Sequence, residues 1–216
     1  MSDLEILFDA HTHHFDSKNR SVVQLPQHLD GNLPPHFSVG IHPKERMPDL
    51  HEVEQLLEQL NENKGFLAIG EIGLDNRYDS VETQEETYIF QLKIAAKLHK
   101  PVILHCVNSW DRCRFLHEKY APHTVLIYHG FNKASIVEQV LNYPKSMISI
   151  GESLLSNQQL QNGLLHIPVE RLFLETDMGS GKLIETYRTT AQIKSISLHA
   201  LIAQLDQNAK RIFNYE

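Results

Sequence analysis

Six residues of the kinds that bind divalent cations stand at or just past the ends of short apolar runs: His11, His13, Glu71, His105, His129 and Asp177. If those runs are parallel strands of one barrel, all their C-terminal ends open on one face. Side chains far apart in the chain can then converge there. In His11-Thr12-His13, alternate residues of an extended strand point the same way, so both imidazoles can reach one ion. Neutral imidazole and carboxylate suit zinc, manganese, iron and, less well, magnesium. Four imidazoles and two carboxylates exceed what one tetrahedral ion takes. Two divalent metal ions (Mg, Mn or Zn) sharing a bridging carboxylate would use all six and leave positions open for water and substrate. A lone His-x-His is weak evidence, and a lone strand-end histidine is more often a packing residue. The inference rests on the joint placement.

The runs that must position these residues span 4–9, 21–25, 37–41, 66–69, 101–104, 124–128, 147–150 and 171–174. They are rich in Val, Ile, Leu and Phe, and most lack period-two alternation, as strands buried on both faces do. The second is the weakest, because Pro26 cuts it short. Amphipathic stretches lie between several of them. Asp49 is placed to cap a helix, with Glu52 completing a capping box and Leu50, Val53, Leu57 and Leu60 forming its stripe before Gly65. Tyr88, Leu92, Ala95 and Ala96 share a face of the next helix, which Lys100-Pro101 ends. Further helices are expected near 110–120, 134–142 and 189–214. Strands alternating with helices imply parallel βαβ units. The expected fold class is α/β: a TIM-type barrel of seven or eight parallel strands, with the helices beside the second strand reduced or missing. No Gly-rich phosphate loop follows the first strand, which argues against an open nucleotide-binding sheet.

The chain of 216 residues fits one domain over 1–216, near the lower bound of about 200 residues for such a barrel. No apolar run approaches the roughly 18 residues of a membrane span. The opening Met-Ser-Asp-Leu-Glu lacks a signal-peptide pattern. Cys106 and Cys113 suggest no disulfide framework, so a reduced, cytoplasmic setting is expected. A net charge of −7 gives no global attraction for nucleic acid. A phosphate-bearing substrate must be drawn in by local charge, which bound cations could supply.

Six segments, in order, resemble the signatures of TatD-type metal-dependent hydrolases: Asp9-Ala-His-Thr-His13, Gly40-Ile-His-Pro43, Gly70-Glu-Ile-Gly-Leu-Asp75, Pro101-Val-Ile-Leu-His-Cys106, His129-Gly-Phe131 and Glu175-Thr-Asp177. A weaker likeness to the family's closing helix follows at Asn208-Ala-Lys-Arg-Ile-Phe213. The resemblance implies phosphoester hydrolysis, in many members exonucleolytic DNase activity. It also implies that His11, His13 and Asp177 hold one metal, His105 and His129 a second, and that Glu71 bridges them. Val107 stands where the family has Arg, and Asn132-Lys133 where it has Ser-Gly. Gly179-Ser-Gly-Lys182 replaces a basic Pro-containing segment. These departures touch substrate contacts and leave the metal ligands intact.

The expected chemistry is activation of a water and neutralisation of phosphoryl charge. Asp177 is the candidate to orient or deprotonate the nucleophile, with Glu71 as the other catalytic carboxylate. His42 and Asp75 are candidates to orient a ligand, Asp75 alternatively capping a turn. Lys133 and Lys182 are candidates to approach the phosphate, or else are solvated surface charges. Trp110 could stack on a base or simply pack. The expected substrate is a small phosphoester or DNA end, with no stable nucleic-acid complex and no membrane association. Two other readings stand beside this one. An amidohydrolase on the same barrel often uses a carboxylated lysine where this chain has Glu71. A non-catalytic metal-binding interaction protein would be expected to have lost ligands.

Overall fold

The computed structural model describes residues 6–25, 32–78 and 81–215. One sheet of parallel strands runs in chain order: β1 (Phe8–Thr12), β2 (Arg20–Leu25), β3 (Phe37–Val39), β4 (Phe66–Asp75), β5 (Val102–Val107), β6 (Leu126–Tyr128), β7 (Ser146–Ile150) and β8 (Leu172–Leu174). The circle closes beyond the end of β8, where Asp177 bridges Thr12 in parallel. There the Asp177 N–H donates to the His11 carbonyl at 2.9 Å, and the His13 N–H to the Asp177 carbonyl at 3.2 Å. The closing seam is therefore built from three of the residues singled out for chemistry.

Around the barrel lie α1 (Leu50–Leu60), α2 (Val81–Leu98), α3 (Trp110–Tyr120), α4 (Val137–Leu141), α5 (Gln158–Leu164), α6 (Leu183–Lys194) and α7 (Leu198–Phe213). The Asp49 carboxylate caps α1 by accepting from the His51 and Glu52 N–H groups. Val53, Leu57 and Leu60 are buried on that helix, and Tyr88, Leu92 and Ala95 on α2. Among the described residues no helix separates β1 from β2 or β2 from β3. Pro26 lies outside the described residues, as do the first two positions of the run 4–9.

The structure corrects three boundaries. β1 starts and ends later than the run 4–9, so His11 lies within the strand and not past its end. β4 and β5 reach Asp75 and Val107, which puts Glu71 and His105 inside strands as well. The stretch 189–214 is two helices: Ser195 takes a left-handed conformation (φ 54°) that ends α6, and Ser197 caps α7 through the Ala200 N–H. One helix, α5, has no counterpart among the expected ones; it opens on an Asn157 cap.

Two apolar layers hold the barrel. Outside, the helices bury Leu57, Leu92, Leu116, Leu164, Tyr187 and Leu205 against the strands. Inside, Phe8, Ala10, Val22, Ile103, Ile127, Met147 and Phe173 fill the lumen. Phe213 and Tyr215, at and after the end of α7, seal its lower end, with ring centroids 5.7 and 5.8 Å from Phe8. Truncating a fully buried Phe such as Phe173 should cost about 3–5 kcal/mol.

Candidate metal centre

The inward face of the strands carries the lumen into the site. Side chains alternate along a strand, so inward Ile103 is followed by His105, Ile127 by His129 and Met147 by Ser149. Phe173 is likewise followed by Glu175 and then Asp177. In β1 the ladder shifts between Asp9 and Thr12, which rephases the strand and brings His11 and His13 over the lumen. In β4 it shifts between Ile69 and Ile72, at Glu71. Glycines flank that carboxylate. A Cβ on Gly70 would lie 2.5 Å from the Cβ of Ile103, and one on Gly73 would lie 1.9 Å from the His105 carbonyl oxygen. The close approach of β4 and β5 that brings Glu71 beside His105 needs both positions bare.

Glu71 is buried at the centre and divides its oxygens. Oε2 lies 3.5 Å from the Nε2 atoms of both His11 and His13, and those nitrogens lie 3.7 and 3.6 Å from Asp177 Oδ1. Oε1 lies 2.5 Å from His105 Nδ1, 2.7 Å from His129 Nε2 and 3.4 Å from His42 Nε2. Three sets of ligand atoms lie mutually within 4.8 Å: His11, His13 and Glu71; His11, His129 and Asp177; and His42, Glu71 and His105. Burial alone would raise the Glu71 carboxyl. His129, His105 and His11 outweigh it and hold the group well below the usual carboxylate range.

A second layer of carboxylates stands behind the imidazoles. Asp75 Oδ2 is 2.8 Å from His105 Nε2, and Asp75 also accepts from Arg77. Burial works against ionised Asp75, but Arg77 and His105 prevail and lower its pKa. Glu175, buried between strands, faces His129 Nδ1 at 3.5 Å and accepts from the Gly130 N–H at 2.5 Å and from the Ser149 hydroxyl. Burial disfavours charge on His129, yet Glu71 and Glu175 raise its pKa well above the usual value. Asp9 accepts from the Thr176 N–H at 3.0 Å and its hydroxyl at 2.6 Å, and burial pushes its carboxyl up to about 7.

These donor atoms suit a divalent cation. His11 is 1% exposed, and neither of its ring nitrogens has a hydrogen-bond partner. Buried polar atoms without a hydrogen bond are few in folded proteins, and a cation between His11 Nε2 and the Glu71 and Asp177 oxygens would satisfy that nitrogen. With Asp75 taking the Nε2 proton of His105, the Nδ1 lone pair faces Glu71 Oε1 at 2.5 Å. Two acceptors so close require a positive charge between them.

The structure brings all six expected ligand residues to this rim, with His42 and Asp75 beside them. Asp75 both meets His105 and caps its own turn through the Arg77 N–H at 2.9 Å. Lys133 turns its ammonium to Asn108 Oδ1, on a small cavity shared with Trp110 and Cys106. Lys182 is exposed and meets Glu152 through its backbone N–H. Trp110 is half-buried at the start of α3, with Arg114 over its ring.

Sequence reasoning missed Glu175 as a partner of His129, although it follows Phe173 at period two. It also missed Gln84 and Gln91 of α2. Gln91 accepts from the Ile41 N–H at 2.6 Å and donates to its carbonyl at 3.2 Å, while Gln84 clasps the Asp75 backbone in the same way. Gln84 pins the end of β4 at Asp75, and Gln91 pins the segment after β3 that leads into His42.

The family model "TatD related DNase" matches residues 17–214. The chain is 27% identical over 201 residues to the human "3'-5' RNA nuclease TATDN2", an alignment covering 81% of this chain and 26% of that protein. It is 35% identical over 149 residues to the "3'-5' ssDNA/RNA exonuclease TatD" of a Pantoea species, covering 65% and 56%. To the human "Deoxyribonuclease TATDN3" it is 26% identical over 217 residues, covering 89% and 78%. The fold is that of the TatD homologue YJJV from Escherichia coli (TM-score 0.82, 21% identity, 99% of this chain and 100% of that one). The match to the family model runs through nearly the whole barrel, from before β2 to the end of α7, and on it the chain belongs to the TatD-related DNase family.

Proposed function

We propose that this protein is a two-metal phosphodiesterase acting on nucleic-acid ends. The division of Glu71 between two nitrogen clusters carries the reading. His11, His13 and Asp177 would hold one ion on the Oε2 side, His105 and His129 would hold another on the Oε1 side, and Glu71 would join them. The chemistry such a pair supplies is activation of a water and neutralisation of charge on a phosphoryl group. Asp177, with its side chain 39% exposed, is open to solvent and so to a nucleophilic water. Its carboxylate can orient that water and accept its proton. Asp75 fixes the tautomer of His105, so that this imidazole presents a lone pair inward, and the Glu175 carboxylate faces the outer nitrogen of His129.

The rim suits single strands. Phe15, Tyr78 and Met178 are 54%, 39% and 65% exposed, and they lie close in sequence to His13, Asp75 and Asp177. Exposed aromatic side chains near a phosphate-binding centre are platforms for bases, a role open to Phe15 and Tyr78. Relatives named as 3'-5' exonucleases and deoxyribonucleases agree with that substrate class. Glu71 in place of a carboxylated lysine disfavours amide hydrolysis.

The test is turnover of labelled single-stranded DNA, single-stranded RNA and a generic phosphodiester with added manganese. Glu71→Ala and Asp177→Ala should each lower the rate by roughly 10³-fold, several kcal/mol of lost transition-state stabilisation, with the thermal transition retained. Near-normal rates in either variant would overturn the proposal, as would wild-type protein that cleaves only amides.

A further inference from the structure

By distance His42 could be a third nitrogen ligand on the Oε1 side of Glu71. Its Nε2 lies 3.4 Å from that oxygen, and its ring centroid is 4.3 Å from that of His105. The polarity of its surroundings says otherwise. A ligating imidazole gives its lone pair to the ion and its other N–H to an acceptor. Behind His105 stands the Asp75 carboxylate at 2.8 Å, and behind His129 the Glu175 carboxylate at 3.5 Å. Behind His42 stands a donor: the backbone N–H of Lys44 meets Nδ1 at 3.0 Å.

A backbone N–H cannot exchange roles as a water or hydroxyl can. It requires a lone pair on Nδ1, so the neutral ring carries its proton on Nε2. That N–H points toward the centre. The ring cannot easily turn to escape this arrangement. The Glu45 N–H donates to the His42 carbonyl at 2.9 Å, closing the turn, and Gln91 holds both backbone groups of Ile41. At 3.4 Å the N–H is long for a hydrogen bond to Glu71 Oε1, and that oxygen already faces His105 and His129 at 2.5 and 2.7 Å. The proton is thus open to another acceptor. His42 also forms part of the wall of a cavity of about 400 Å³ that Lys44, Glu45, Arg46, Tyr78 and Gly73 line.

We propose that His42 donates Nε2–H to a non-bridging oxygen of the scissile phosphodiester and does not ligate metal. The substrate half of this proposal rests on the phosphodiesterase reading above; the ligation half stands without it. Preorganised donors of this kind contribute about 10²-fold or more to turnover.

Three measurements test it. In the zinc-loaded protein, long-range ¹H–¹⁵N spectra of His42 should show an Nε2-protonated ring without a metal-bound nitrogen. An Nδ1-protonated, zinc-bound ring would overturn the proposal. Zinc content and affinity of His42→Ala and His42→Gln should equal those of wild type, and loss of zinc would make His42 a ligand. Turnover of single-stranded DNA should fall about 10²-fold in His42→Ala and recover in part in His42→Gln, whose amide N–H can reach the same place. Equal rates in all three proteins would remove the donor role. Wild-type protein that cleaves no phosphodiester would sink the function and the substrate half together. The spectrum and zinc content would still decide whether His42 ligates.

Discussion

Replacing Asp75 by asparagine tests how the second carboxylate layer governs the centre. Oδ1 of Asp75 accepts the Arg77 backbone N–H at 2.9 Å, and Oδ2 faces His105 Nε2 at 2.8 Å. The backbone donor is fixed, whereas the Arg77 side chain is 61% exposed and can swing into water. In Asp75→Asn the amide oxygen would therefore stay with the backbone N–H, and the NH₂ group would face His105. The imidazole would then have to accept at Nε2 and carry its proton on Nδ1, the nitrogen 2.5 Å from Glu71 Oε1. A protonated nitrogen cannot ligate. Loss of such an outer partner weakens metal affinity by about 10- to 100-fold, about 1.4 to 2.7 kcal/mol. Manganese titration by calorimetry should show this loss on one site, with the His11/His13 site unchanged, and turnover at limiting manganese should fall in parallel. An isotherm that superimposes on wild type would refute control of His105 by Asp75.

Glu175→Leu should weaken metal affinity by about 10-fold, because the side chain could no longer accept from His129, the Gly130 N–H or the Ser149 hydroxyl; competition with a chelator measures this. Gly73→Ala should destabilise the fold by about 3 kcal/mol or more in urea unfolding, since a Cβ would meet the His105 carbonyl at 1.9 Å and overpacking adds to backbone strain. His117 is buried between the Tyr143 and Thr124 hydroxyls, and burial lowers its pKa to about 4. The unfolded chain takes up this proton near pH 6.5 and the native state only near pH 4. The residue's contribution is therefore full above about 6.5 and lost as pH falls through that window. Relative to His117→Gln, wild type should lose about 2 kcal/mol between about pH 7.5 and about pH 5, read by urea unfolding at the two pH values; an equal pH dependence of the two proteins would contradict the assignment.

The convergence of the six candidate residues was legible because a parallel barrel converts sequence order into one rim: a residue at or just past an apolar run needs no further information to be placed there. Boundaries were less so. β4 and β5 continue through Glu71, His105 and Asp75 because Gly70 and Gly73 let the strands pack closely, a feature visible only once the partner strand is known. The break at Ser195 hid inside a continuous amphipathic pattern, although Ser197 has the type of a helix cap. Glu175 was legible in principle through its period-two relation to Phe173. Gln84 and Gln91 were not, since their role is to clasp the backbone groups of Asp75 and Ile41, contacts that hydrophobic patterning does not mark. The polarity of His42 likewise depends on a turn that brings the Lys44 N–H back to its ring.

The most direct test of the central claim is anomalous scattering from crystals grown with manganese or zinc. Two peaks, one on each side of the Glu71 carboxylate, with His11, His13 and Asp177 at the first and His105 and His129 at the second, are the predicted result. A single peak that leaves either oxygen of Glu71 without a cation, or peaks away from these residues, would contradict the two-metal account.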